Sequence, residues 1–202
     1  MTPIKYSMSF RTGALFRQES VKIVTLYSSH QQWENVRSAV LLENAIQART
    51  TNTLKRVTNE IISRMKTLNK QELAFLVDAS YDEQGYMLWL AICRRYAFIA
   101  DFAVDIVHNN FASFKNIVTY EDYNTFFNSK AEWHSEVDTV APSTKRKLRQ
   151  TLFQMMREAG LLEKNNAIIP MIPSAQFQAT LAAGAERENM FFPISGLTRR
   201  SG

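Results

Sequence analysis

The chain has 202 residues, 24 Lys and Arg against 19 Asp and Glu, 46% hydrophobic residues and a single cysteine. That length holds one large domain or two small ones with a real core, and the composition excludes a disordered or fibrous chain. One cysteine excludes an internal disulfide framework and a cysteine-rich metal site, while a net charge of +5 permits a nucleic-acid partner without requiring one.

With 6 Gly and 5 Pro, few breakers interrupt the chain, which favours helices over many short strands. The opening "MTPIKYSMSFRTGALF" has no apolar run ending in a small-residue cleavage site, so no secretory signal is expected. A reducing, cytoplasmic setting is then the default. A first helix is predicted from Thr12 to about Ser28, with Leu15, Phe16, Val21, Val24 and Leu26 at mostly helical spacing. After the loop "SSHQQ", a second runs from Trp33 to about Ala45, with Trp33, Val36, Val40 and Leu41 on one side. The third opens at "TTNTLKRV" and carries the stripe Leu54, Val57, Ile61, Met65 and Leu68, opposite Arg56, Asn59, Ser63 and Lys66. "LNKQELAFLVDAS" is a fourth, with Asn69 as N-cap and Glu72 at capping-box spacing.

A core segment from about Asp82 to Asn110 follows, as one bent helix or two. Within it, "YMLWLAICRRYAFIADFAVDIV" is long enough for a membrane span, but Arg94, Arg95, Asp101 and Asp105 interrupt it. Each such charge costs about 2.5–3.5 kcal/mol at a bilayer centre, so the segment is read as buried core and no membrane partner is expected. An arginine here is read first as the partner of a carboxylate, with a ligand contact as the alternative. "NFASFKNIVTY" is an irregular connector and a domain boundary, dividing an N-terminal helical domain, 1–115, from a C-terminal domain, 116–202.

"TYEDYNTFFNSKAEWHSEV" starts a helix at Thr119, with Asp122 three residues on and Tyr123, Phe126, Phe127 and Trp133 as its apolar side. "DTVAPS" breaks the chain at Pro142, and "PSTKRKLRQTLFQMMREAGLL" forms a helix that ends at Gly160, a left-handed C-cap. Beyond Leu162 come a polar turn at Asn165–Asn166, a β-branched run broken by Pro170 and Pro173, and the extended candidate "NMFFPISG". The two extended pieces form a small hairpin or ribbon, with "SAQFQATLAAGA" as a short helix between them.

At 100° per residue from Leu148, Leu152, Met155 and Ala159 fall within about 40° and Met156 at about 80°, a buried stripe. Arg146, Gln150, Gln154 and Arg157 lie opposite, flanked by Ser143 and Lys147; five basic residues and no acidic one occupy Ser143 to Arg157. Cations in the first turns of a helix meet the positive end of its dipole and are mildly unfavourable alone. A polyanion reverses that sign. Arg and Lys suit phosphates, Gln and Arg suit base edges, and Ser143 and Thr144 at an open N-terminus add backbone N–H groups. Helix, turn, basic helix and short ribbon is the order of a winged helix-turn-helix, whose second helix enters the major groove. Ser143, Thr144, Lys145, Arg146, Lys147, Arg149, Gln150, Gln154 and Arg157 are therefore the candidate contacts to double-stranded DNA. The plainer alternative is a solvated charged face. A second cationic surface runs through Arg49, Lys55, Arg56, Arg64 and Lys66, interrupted by Glu60, with Arg56 and Lys66 as candidate nucleic-acid contacts. The "TRRSG" tail adds Arg199 and Arg200 for non-specific binding.

No phosphate-cradling glycine loop, serine elbow or HExxH occurs. His30, His108 and His134 are far apart, and Glu132, His134 and Glu136 alternate at a helix end without converging on one ion. Cys93, in the apolar segment, is read as a buried structural thiol. No enzymatic activity, cofactor or metal is expected.

"YSMSFRTGALF", "ENAIQARTTNTLKR", "LWLAICRRYAFIADFAVDIV", "TYEDYNTFFNSKAEWHSEV" and "TKRKLRQTLFQMMREAGLL" together resemble the BrxA family, the small protein of BREX bacteriophage-defence systems, from Tyr6 to Pro170. The resemblance implies a non-enzymatic helical protein encoded beside a DNA methyltransferase and large ATPases and acting in host–phage discrimination. The family is likened to NusB, an RNA-binding antitermination factor, and to helix-turn-helix proteins. Some members carry an inner-membrane label, which the charges from Arg94 to Asp105 argue against here. The resemblance carries no catalytic motif onto this chain, and the DNA contacts above come from the helical face alone. The combined expectation is a mainly α fold, a NusB-like helical bundle followed by a winged helix-turn-helix-like part with a short β ribbon. The expected role is backbone-driven binding of duplex DNA. The alternatives are an assembly module docking on other BREX proteins, or NusB-like RNA binding through the third helix.

Overall fold

The computed structural model describes residues 5–11, 13–182 and 186–194. Five helices open the chain: α1 (Arg17–His30), α2 (Trp33–Glu43), α3 (Thr51–Met65), α4 (Lys70–Asp78) and α5 (Tyr81–Arg95). The stripe on α3 is buried throughout, at Leu54, Val57, Ile61 and Met65 and on to Leu68. The capping box of α4 forms as its sequence specifies: Asn69 Oδ1 accepts from the N–H groups of Gln71 and Glu72 at 2.9 Å, and Glu72 Oε2 accepts from that of Asn69 at 2.7 Å. Helix α1 begins at Arg17, later than its apolar spacing predicts. Leu15 belongs instead to an extended strap, where it is buried and donates its N–H to Glu158 at 2.6 Å.

Helix α5 is buried from Gly85 to Cys93 and packs against α3 and α4. The backbone breaks at Tyr96, with φ −126° and ψ 94°, so the long apolar segment is two rods rather than one. The second comprises α6 (Ala97–Phe102), a π-helical stretch (Ala103–His108) and α7 (Asn109–Ala112). Arg94 takes the carboxylate reading: its guanidinium donates to Glu72 at 2.7 and 2.8 Å and to Glu188 at 2.7 Å. Burial works against that cation, but the bonds from Glu188 and Glu72 outweigh it and raise its pKa. Among the described residues, no helix is long and apolar enough to cross a membrane.

The helix predicted to start at Thr119 is α8 (Tyr120–Ala131), and Thr119 and Asp122 form a capping box there. That helix stops short of Trp133, which is 82% exposed rather than part of its apolar side. A separate turn, α9 (Ser135–Asp138), leads to α10 (Pro142–Glu158), and Gly160 follows it at φ 78°, the left-handed position that favours glycine. The ribbon is reduced to single bridges. Leu162 pairs antiparallel with Ile168, Ile117 antiparallel with Ala167, and Met171 parallel with Ile194. Residues 166–168 thus lie between 116–118 and 162, tied by Val118 N–H to Asn166 O and Ile168 N–H to Asn116 O, both 3.0 Å. Two short helices, α11 (Ala175–Ala182) and α12 (Glu186–Asn189), close the described chain.

The N-terminal strap crosses these elements. Tyr6 N–H donates to Glu136 of α9 at 2.7 Å, and its hydroxyl to Asp101 of α6. Phe10 is fully buried against Tyr96 and Phe98. At Gly13 a Cβ would overlap the Thr151 side chain of α10, so the strap passes there because the residue has none. Ala14 O accepts from Arg64 Nη1 of α3 at 2.8 Å.

Candidate nucleic-acid interface

Helix α10 buries Leu148, Leu152, Met155 and Met156, with Ala159 just beyond it, as its sequence wheel predicts. Thr151 and Phe153 are buried too. The buried arc is wider because α8 covers one flank, where Tyr120 meets Phe153 edge-on at 4.8 Å, and the strap at Gly13 covers Thr151. Ser143, Arg146, Lys147, Gln150 and Gln154 are exposed, and Thr144, Lys145, Arg149 and Arg157 are half-buried.

The cations near the start of α10 therefore divide. Arg146 and Lys147 project to solvent. Lys145 Nζ donates to Asn128 Oδ1 at 2.6 Å and lies 4.5 Å over the Phe127 ring. Arg149 Nη1 donates to Asn124 Oδ1 at 3.2 Å and lies 4.5 Å over the Tyr120 ring. Arg157 Nη2 donates to Asn166 Oδ1 at 2.6 Å. Tyr120, Asn124 and Asn128 follow one another at i, i+4 along α8, as Lys145, Arg149 and Phe153 do along α10, and the two rows meet in antiparallel order. All three partners are neutral amide oxygens, which orient a cation and leave its charge in place.

Elsewhere several cations meet carboxylates: Lys66 with Glu34 at 3.6 Å, Lys115 with Asp122 at 2.6 Å, Lys130 with Asp101 at 3.2 Å, and Arg94 as above. Among the described residues, no α10 cation is in an ion pair. The charges also press on one another. Burial and then the Arg149 guanidinium push the Lys145 pKa down, with Glu121 opposing.

Two sequence expectations change. Gln154 Nε2 donates to Glu158 Oε1 at 2.8 Å, so its amide is engaged within the helix. The cationic strip on α3 is shorter than it reads. Lys55 and Arg56 are exposed, and Lys66 faces Glu34. Arg64 is buried, with Nε on Glu60 at 2.7 Å. It stands three residues after Ile61 and four before Leu68, inside the apolar stripe, and that spacing was the available signal. Arg199 and Arg200 lie outside the described residues. Around the other candidates, the His134 ring packs on Tyr6 with centroids 4.2 Å apart and a tilt of 38°, its Nδ1 lies 3.3 Å from Glu136, and Glu132 is exposed. Cys93 is buried, and burial pushes its thiol pKa up. Sequence reasoning missed the asparagines that aim the cations, although the matched i, i+4 rows on α8 and α10 were legible.

The BrxA family model matches residues 4–184. The chain is similar to the BREX protein BrxA of Escherichia coli O9:H4 (strain HS), 24% identical over 168 residues, which are 81% of this chain and 79% of that protein. It is similar to the BREX protein BrxA of Bacillus cereus (strain H3081.97), 20% identical over 158 residues, 78% of this chain and 79% of that one. A crystal structure of an uncharacterized protein from Magnetospirillum magneticum shares the fold, with a TM-score of 0.80 and 17% identity over 95% of this chain and 99% of that chain. On a family match that takes in α1 through α11, the chain belongs to the BrxA family.

Proposed function

We propose that this chain is a non-enzymatic component of a BREX bacteriophage-defence system that binds duplex DNA through α10, mainly at the phosphate backbone. The observation that carries this reading is the set of cations on α10 held by Asn124, Asn128 and Asn166, aimed but not neutralised. Lys145 and Arg149, four residues apart, repel by about 0.2–0.5 kcal/mol, and a phosphate between them turns that cost into attraction. The N–H groups of Ser143 and Thr144 have no backbone partner among the described residues, leaving donors at the helix N-terminus. The element order supports a winged helix-turn-helix. Helix α8 precedes α10, and the loop from Glu163 to Asn166, with Lys164 exposed, projects as a wing between the bridged segments. Among the described residues, Gln150 is the exposed amide on this face left without a partner, which supports weak sequence preference. Such a role puts the protein in the cytoplasm, and other BREX proteins are the partners that family membership suggests.

The test is fluorescence anisotropy on a labelled duplex across a salt series, comparing wild type with Arg146→Ala/Lys147→Ala. Both residues are exposed, so the fold is preserved. Each phosphate contact contributes about 0.9 to the slope of log K against log salt, so the double variant should bind more weakly with a slope shallower by about 2. Unchanged affinity and slope would remove the exposed edge of α10, Arg146 and Lys147, from the interface. A structured RNA that displaces the duplex at a lower concentration than unlabelled duplex would move the reading to RNA.

A further inference from the structure

A groove of about 530 Å3 lies between the first turn of α5 and the run from Ile169 to Ser174. Asp82, Glu83 and Tyr86 line one side, and Ile169, Ile172 and Ser174 the other. Among the described residues no Lys, Arg or His lines it. Arg17, which packs over the Tyr81 ring at 3.6 Å and donates to the Glu158 carbonyl, is not among the lining residues. Burial would raise the Glu83 carboxyl, but bonds from Ser174 and Ser80 outweigh it and hold it below the usual carboxylate range. The Glu83 carboxylate is therefore charged at neutral pH.

The opposite wall is apolar and only partly satisfied. Ile172 is 87% exposed. Met171 N–H is spent on Pro193 O at 2.8 Å and Ser174 N–H on Glu83 Oε1 at 3.1 Å. Pro173 has no N–H to give. Ile172 N–H, between them, has no backbone partner among the described residues. A negative wall, an exposed aliphatic wall and an unspent main-chain donor together describe what an occupant must supply.

We infer that this groove docks an extended segment of another protein that carries Lys or Arg beside an aliphatic side chain. The cation meets Asp82 and Glu83, the aliphatic group covers Ile169 and Ile172, and a backbone carbonyl takes Ile172 N–H, as in recognition by strand addition. This surface is opposite in sign to α10, so it adds a protein contact to a nucleic-acid contact rather than competing with it.

The test uses two fluorescein-labelled peptides, KIRLK and EIELE, titrated with the full chain in anisotropy. KIRLK should bind saturably and at least tenfold tighter than EIELE. Asp82→Lys/Ile172→Lys should weaken KIRLK at least tenfold; Ile172 is 87% exposed and Asp82 is exposed, so both positions tolerate the change. No saturable binding of KIRLK, equal binding of the two peptides, or unchanged KIRLK binding by the variant would overturn the inference. The chain's own cations are the rival occupant. If Arg199→Ser/Arg200→Ser raises KIRLK affinity tenfold or more, the groove belongs to the chain itself and the partner reading fails.

Discussion

Replacing Asn124, Asn128 and Asn166 together by aspartate isolates the charge on α10 from its packing. The new carboxylates are nearly isosteric with the amides, and they would sit where amide oxygens now lie, 3.2 Å from Arg149, 2.6 Å from Lys145 and 2.6 Å from Arg157. Each becomes an ion pair in a partly exposed setting, worth about 0–1 kcal/mol, so the melting temperature should hold or rise. DNA binding should move the other way. Three cations neutralised in place remove about three phosphate contacts, each worth about 0.9 decade in affinity at 0.1 M salt. Duplex affinity should fall by two to three decades, with a slope of log K against log salt shallower by about 2.7. Thermal melting and salt-series anisotropy on one preparation give both readouts. A variant that melts like wild type and keeps its affinity and slope would show that these cations never meet phosphate. Alanine at Lys145 or Arg149 would be a poorer test, because both side chains also cover aromatic rings of α8.

Other expectations concern the frame around that face. Glu72→Ala strips Arg94 of its more buried partner and removes half of a capping box; it should cost about 3 kcal/mol in urea unfolding, and a cost below about 1 would mean that Glu188 alone holds Arg94. Burial would raise the Asp101 carboxyl, but bonds from Tyr6, Lys130 and Arg187 outweigh it and hold it below its ordinary range. Its stabilisation is therefore present above the unfolded pKa, about 3.9, and is lost as pH falls through the folded value. Asp101→Asn should lower the melting temperature at pH 7 and flatten its decline in acid, and parallel melting curves down to pH 3 would contradict this. Gly13→Ala should destabilise by about 1–3 kcal/mol through overpacking. Thr151→Ala, which removes a buried hydroxyl without a hydrogen-bond partner among the described residues, should recover part of that loss, and strict additivity of the two would show that they do not touch.

Short-range patterns in the chain were legible because their causes are local. The α3 stripe, the capping boxes at Asn69 and Thr119 and the glycine stop at Gly160 each depend on residues within a few positions of one another. What was hidden depends on distant partners. The place of Arg64 in the apolar stripe hints at burial, but the carbonyl that satisfies it belongs to Ala14, fifty positions earlier. The ribbon read as a pairing of two late segments, yet residues 116–118, upstream of α8, supply one side of it. The cationic character of α10 was evident from composition, but Lys145 and Arg149 are aimed by α8 and Arg157 by Asn166. That the split of its cations follows aromatic rings and amides on another helix could not be seen from one wheel.

The strap also sets a timetable for synthesis. Leu15 leaves the ribosome early, but its carboxylate partner, Glu158, lies 143 positions later, and Tyr6 waits for Glu136 across 130. At about 5–20 residues per second, the first segment stays undocked for about 7–30 seconds while the middle of the protein is made. Phe10 waits for Tyr96 and Phe98, and until Glu136 and Glu158 have also been translated the strap stays open to chaperones and proteases.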